Sequence, residues 1–409
     1  MSHKLFSLAA LGIRRFILFP RTNFGNNYNI GRILRRTSGI SRDMSDMLEE
    51  YTVPDWAERL QNKPTHRVKL AHPDTPIDEW KIPDIPHGFS VHIKRDDMTG
   101  STLSGNKVRK LEFLLADAVK HNCRHVITCG GVQSNHCRAV AVASRQLGLE
   151  PHLFLRGDIQ SKSSVECNGN LLLDRMCGAD LYIVPRQSAY LTELRPRMLR
   201  LAELIKQQTG ESSYLIPVGG SNEVGFYGYI QVMEELRKQG VLERFDDLIF
   251  SCGSGGTAAG LAIGNYLTGS KLRIHGVAVS DDAAYFHSHV NEMLSALGLA
   301  DVKSEDIVDI VEGYKGKGYG ISSPGELDLI TEISCKTGII LDPVYTGKGA
   351  YGMWHELKRN PDRFHGKRIL FLHTGGVFGL YDGRMDALLK SKADTNKIKF
   401  WLDKNSDYS

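Results

Sequence analysis

His125-Val126-Ile127-Thr128-Cys129-Gly130-Gly131-Val132-Gln133-Ser134-Asn135 holds the pattern from which the fold can be read. A short β-branched run, His125 to Thr128, stops on two glycines, and from Asn135 to Leu147 the apolar residues recur at helical spacing. A strand that ends on glycine and turns directly into a helix is the opening half of a βαβ unit.

The same rhythm continues on the C-terminal side. Strands are expected at His152 to Leu155, Leu181 to Val184, Tyr214 to Val218, Leu248 to Ser251, Ile274 to Val279 and Ile369 to His373. Helices fill the gaps, as at Leu191 to Gln208 and Asn222 to Gln239. No hairpin signal dominates and no repeat of solenoid length recurs, so the fold class is α/β with mostly parallel sheets. A chain of 409 residues exceeds what one hydrophobic core sustains, and two lobes are expected. Ligands on such sheets bind beyond the carboxyl ends of the strands. Three of those ends open onto glycine: Gly130-Gly131, Gly253 to Gly256, and Gly375-Gly376.

Gly253-Ser254-Gly255-Gly256-Thr257 precedes an apolar helix expected over Ala258 to Leu267, so its amides and the positive helix end form an anion site. It lacks the Gly-Lys-Ser/Thr of a Walker loop. On the loop alone, a packing turn and a dinucleotide site with Asp281 on the ribose both stay open. Lys107 lies in Ser104-Gly105-Asn106-Lys107-Val108-Arg109-Lys110, at the junction of a turn with a helical stripe of Leu111, Leu114 and Leu115. By itself it reads as a solvated surface charge.

Together these segments resemble the aminocyclopropane-carboxylate deaminase and D-cysteine desulfhydrase family, in the tryptophan-synthase β-like group of pyridoxal-phosphate enzymes. The resemblance runs through Ser104 to Glu112, Gln133-Ser134-Asn135-His136, Gly219-Gly220-Ser221-Asn222, Asp342 to Lys348 and His373 to Gly376, and covers about Arg59 to Leu388. It implies a two-domain, fold type II enzyme. Residues 44–112 and 220–392 would form the large pyridoxal-phosphate-binding domain, 113–219 the small domain, and 393–409 a tail. It also implies that Lys107 carries the cofactor as a Schiff base, with Lys110 helping at its phosphate and Asn135 beside its 3-hydroxyl. Ser134 would meet the substrate carboxylate or handle protons, and Gly253, Ser254, Gly255, Gly256 and Thr257 would hold the phosphate. Tyr319 and Tyr345 would be the two active-site tyrosines, with Thr346 next to the pyridine nitrogen. Read as residues alone, Ser134 and Asn135 suit a helix cap, Tyr345 a strand, and Thr346 a turn.

The reaction implied is loss of a leaving group from Cβ of a small amino acid, with the freed lysine as base. Deaminases of the cyclopropane substrate carry glutamate at the position of Thr346. A neutral threonine there favours elimination of sulfide from D-cysteine, with 1-aminocyclopropane-1-carboxylate deamination as the alternative. The preference for the D form and a homodimeric assembly are implied by the resemblance alone. A serine or threonine dehydratase, a sulfhydrylase, and a sensor that needs no Lys107 are the remaining readings.

The N-terminus carries a different message. From Met1 to Arg42 there is no Asp or Glu, while Lys4, Arg14, Arg15, Arg21, Arg32, Arg35, Arg36 and Arg42 alternate with apolar residues and serine. Residues 1–43 therefore read as a mitochondrial transit peptide, with a basic tail as the alternative. The formal charge of +4 is concentrated there, which argues against a nucleic-acid-binding face. No apolar run approaches the length of about 18 residues that spans a membrane. Cys123, Cys129, Cys137, Cys167, Cys177, Cys252 and Cys335 form an odd set with no C-x-x-C pair, which suits neither a disulfide framework nor zinc. His287 and His289 are too close in sequence to share a helical face, so they read as a solvated helix start rather than metal ligands.

Overall fold

The computed structural model describes residues 44–158, 161 and 164–391; the transit segment expected over 1–43 and the tail over 393–409 lie outside the described residues. Two short strands, β1 (Leu48–Glu50) and β2 (His66–Val68), pair antiparallel. They are followed by β3 (Ile77–Glu79) and β4 (Ser90–Lys94). Next come β5 (Cys123–Gly131), β6 (Glu150–Arg156), β7 (Asp180–Val184) and β8 (Ser212–Leu215), a parallel four-stranded sheet in the order β7-β6-β5-β8. The strands β9 (Asp247–Cys252), β10 (Arg273–Ala278), β11 (Asp309–Val311) and β12 (Arg368–Leu372) join β3 and β4 in a six-stranded sheet ordered β11-β10-β9-β12-β4-β3. In that sheet β3 runs antiparallel to β4, and the other pairings are parallel.

The larger sheet is covered on both faces at its centre, so β9 is buried along its whole length and β12 along all but its first residue. Period two still sorts them. Leu248, Phe250, Leu370 and Leu372 pack with Leu261, Ile263 and Phe226 on one face. Ile249, Ile369 and Phe371 pack with Ile330, Met353 and Leu357 on the other. Both β9 and β12 therefore end, side by side, on glycine-rich loops at one edge of the sheet.

Three expectations change. The sequence reading began its strands at His125, whereas β1 to β4 precede it and β4 is an interior strand of the larger sheet. The strand expected over Tyr214 to Val218 ends at Leu215. Ile216 still donates to Ile127 O, but Pro217 has no N–H, and Val218–Gly220 turns with Gly219 at φ 66°. The helix expected from Leu191 starts as one π-turn, Tyr190–Leu194, and becomes α only over Arg195–Thr209.

At the opposite end of the larger sheet from the glycine loops, His275 on β10 is held between Asp247 Oδ1 and Asp309 Oδ2, each at 2.8 Å. Burial disfavours its charged form, but the hydrogen bonds and charges of the two aspartates outweigh that and raise its pKa. A raised histidine stabilises the fold fully below its unfolded value of about 6.5, and that contribution is lost as pH rises through the folded value. The denaturation midpoint is thus expected to fall as pH rises above about 6.5, and His275→Gln should flatten that slope. A slope identical in the variant would remove His275 as its cause.

Candidate active site

Lys107 is the first residue of the helix Lys107–Lys120, which follows a turn at Gly105, φ 102°. A Cβ on Gly105 would lie 2.8 Å from Thr374 O, so only glycine lets this turn approach the exit of β12. Asn106 N donates to Thr374 O at 3.1 Å and ties the two loops together. Burial pulls the Lys107 ammonium down from its usual value to about 8, and neighbouring Cys252 opposes this.

Lys110 is nearly one turn further along the helix and is 1% exposed. Its Nζ donates to Gly219 O and Ser221 Oγ, both at 3.2 Å. Burial first, and the charge of Lys107 second, push its pKa well below the ordinary lysine value. Among the described residues no carboxylate pairs with it.

The glycine loop lies over this lysine. Gly255, φ 81°, leads into the helix Gly256–Thr268. A Cβ on Gly256 would sit 2.5 Å from both Lys110 Nζ and Ser221 Oγ, and one on Gly253 would sit 2.8 Å from Tyr345 Cε1. Thr257 Oγ1 bonds Tyr229 OH at 2.7 Å, and Asn106 Nδ2 donates to the same hydroxyl at 2.6 Å. Ser254 Oγ and Ser221 Oγ are 2.8 Å apart. Lys107, Asn135, Gly253, Ser254, Thr257 and Tyr345 line one narrow cleft.

The remaining candidates lie around this cleft. The hydroxyls of Tyr319 and Tyr345 are 2.8 Å apart, with the rings edge to face. Ser134 caps the helix Asn135–Gln146, its Oγ accepting from Cys137 N at 3.2 Å, while Asn135 Oδ1 accepts from Asn170 Nδ2 at 2.9 Å. Thr346 is fully buried and its hydroxyl is engaged by Asp342: Oγ1 donates to Oδ1 at 2.7 Å and accepts from the Asp342 N–H at 2.8 Å.

The comparisons with known proteins agree with this geometry. Residues 68–375 match the family described as pyridoxal-phosphate dependent enzyme. The chain belongs to that family. It is 44% identical to the mitochondrial bifunctional D-cysteine desulfhydrase/1-aminocyclopropane-1-carboxylate deaminase of Arabidopsis thaliana, over 83% of this chain and 86% of the relative. It is 34% identical to a D-cysteine desulfhydrase of Yersinia enterocolitica, over 77% and 95%. The crystal structure of an ACC deaminase homologue superposes with a TM-score of 0.71 at 34% identity, covering 83% of this chain and 99% of the other.

As a pyridoxal-phosphate dependent enzyme, the protein needs a place for a phosphate, and the residues fit one. A buried ammonium without a counter-charge is costly, and Lys110 is such a group, placed under glycine amides at a helix start. The sequence reading quoted Ser221, Asn106, Thr374 and Gly375-Gly376 within motifs but gave them no role; Asn106, Thr374 and the Gly375-Gly376 turn line the cleft, and Ser221 bonds Lys110 beneath the glycine loop. It also misplaced His289, which is partly buried against Gly255 rather than solvated, while His287 bonds Ser304 Oγ. Only the fold brings these residues to the site. No helix among the described residues is long and apolar enough to cross a membrane.

Proposed function

We propose that the chain eliminates sulfide from D-cysteine, giving pyruvate, ammonia and hydrogen sulfide. The observation that carries this reading is the meeting, in one cleft, of a lysine whose pKa burial lowers to about 8 with the linked hydroxyls of Tyr345 and Tyr319. When bound, pyridoxal phosphate supplies the sink for the electron pair left on Cα. Lys107 Nζ, its pKa brought by burial to about 8, within about one unit of neutral pH, takes the Cα proton. Ser134 and the N–H groups at the start of its helix receive the substrate carboxylate, and Asn135 would stand beside the cofactor's 3-hydroxyl. The tyrosine pair faces the leaving sulfur and passes it a proton, so that sulfide leaves neutral. Lys110, Ser221, Thr257 and the loop amides hold the phosphate. Water then hydrolyses the released enamine to pyruvate and ammonia.

A specific observation also favours the second reading, opening of the cyclopropane ring of 1-aminocyclopropane-1-carboxylate to 2-oxobutanoate and ammonia. A carboxylate, Asp342, stands one hydrogen bond behind Thr346, so the position is less neutral than threonine alone suggests. The name of the Arabidopsis relative, which carries both activities, supports keeping the two readings together. One holoenzyme preparation should be assayed for sulfide and pyruvate from D-cysteine, L-cysteine and D-serine, and for 2-oxobutanoate from the cyclopropane amino acid. Sulfide from D-cysteine in clear excess over every other product is expected; faster turnover of L-cysteine or D-serine would remove the assignment.

The division into a large domain of 44–112 with 220–392 and a small one of 113–219 belongs to this reading. It is supported by the smaller sheet drawing its strands from Cys123 to Leu215 alone. A homodimer is proposed on the family resemblance, to be checked by light scattering. The acid-free segment 1–43 is proposed as a mitochondrial transit peptide, supported by its composition and by the mitochondrial relative. Fusion of that segment to a reporter tests it, and a cytosolic signal would count against it.

A further inference from the structure

His289 belongs to the helix Ala283–Ala296, remote in sequence from every motif that carries the resemblance. The fold brings its ring against the phosphate loop. A Cβ on Gly255 would lie 2.5 Å from His289 Cδ2 and 3.1 Å from its Cγ, so the ring meets the loop through the edge that Nε2 continues. That Nε2 is buried and has no hydrogen-bond partner. Buried polar atoms are otherwise almost always paired, and an unpaired one in a native fold calls for a missing partner. Burial and the nearby charge of Lys110 lower the imidazole's pKa to about 4, which makes it a neutral ring with one N–H to donate near pH 7.

We infer that His289 is a further binding residue for the cofactor's phosphate, donating from Nε2 to a phosphate oxygen at the Gly255 side of the loop. The inference rests on the pyridoxal-phosphate reading of the site and adds a ligand to it. Its chemistry complements that of Lys110. The lysine supplies charge from beneath the loop, and the histidine supplies a directional donor from the helix packed beside it. A second full cation there would meet the repulsion of Lys110; a neutral donor does not.

The test separates the phosphate from the rest of the cofactor. Apoenzyme is prepared as wild type, His289→Leu and His289→Gln, and affinities for pyridoxal phosphate and for pyridoxal, which lacks the phosphate, are measured by absorbance and quenching. Loss of one hydrogen bond to a charged oxygen should weaken pyridoxal phosphate binding about tenfold in His289→Leu and leave pyridoxal unchanged. His289→Gln, which keeps an N–H, should recover most of the loss. The ³¹P resonance of the holoenzyme should shift in His289→Leu. Equal weakening of both ligands, an unfolded leucine variant with no recovery in glutamine, or unchanged pyridoxal phosphate affinity with an unmoved ³¹P line would each overturn the inference. Failure of every variant and the wild type to bind pyridoxal phosphate would instead remove the cofactor reading itself.

Discussion

Lys107→Ala is expected to lose the visible absorbance of the bound cofactor and to lower turnover by several orders of magnitude. On the proposed reading the substitution removes both the covalent anchor and the base, and general-base catalysis alone accounts for about 10²–10⁴ in rate. The remainder of the cleft should survive, because Lys110, Ser221 and the loop amides do not depend on the Lys107 side chain. The alanine variant should therefore still bind pyridoxal phosphate, now reversibly, and exogenous primary amines should restore part of the activity. Lys110 cannot take over as base. It lies beneath the glycine loop with its Nζ turned to Gly219 O and Ser221 Oγ. A coloured alanine variant with near-normal turnover would show that another lysine performs the chemistry.

The second large effect is on stability. Arg109, on the Lys107 helix but facing the other way, forms a two-point pair with Asp96 at 2.9 and 2.8 Å and a further pair with Glu235 at 2.8 and 3.1 Å. All three side chains are nearly without solvent contact. Lys94 also contacts Glu235, and Thr75 Oγ1 donates to Asp96 at 2.8 Å. Arg109→Ala would leave Glu235 with one cation and Asp96 with a single hydroxyl. Removing one partner of a buried pair costs about 3–5 kcal/mol, because the abandoned charge stays desolvated. Arg109→Lys should lose less, since it keeps the charge but not the planar fork. The check is a urea denaturation series at neutral pH for the two variants and wild type. A loss below about 1 kcal/mol in Arg109→Ala would mean that the network is as weak as an exposed pair.

What could be read in advance, and what could not, follows from the range of the forces involved. The strands that end on Gly130-Gly131, on Gly253 and on the His373 to Gly376 turn were legible because strand, glycine and helix are local signals. The strand β4 was not. Ser90-Val91-His92-Ile93-Lys94 has the right alternation but follows a proline-rich stretch through Pro76, Pro83 and Pro86, and its partner β12 lies near the far end of the described chain. Within the site, the lysine and loop residues were legible through their motifs, whereas Ser221 and His289 acquire their places only through the packing of helices. Thr346 shows a limit of a different kind. Its side chain could be read, but not that Asp342 would already occupy its hydroxyl. A glutamate there would face that carboxylate, so an exchange meant to test selectivity would need Asp342→Asn beside it.

The contact between Gly105 and the Thr374 carbonyl bears on when the enzyme becomes active during synthesis. Because the turn before Lys107 is shaped by the loop after β12, and β12 pairs with β4, a ribosome must finish nearly the whole described chain before the lysine is correctly set. Such distant pairings form late, after their loop-closure cost has been met. A nascent chain stalled before Arg368 should hold no cofactor, and loading would take place only where and when the completed chain folds.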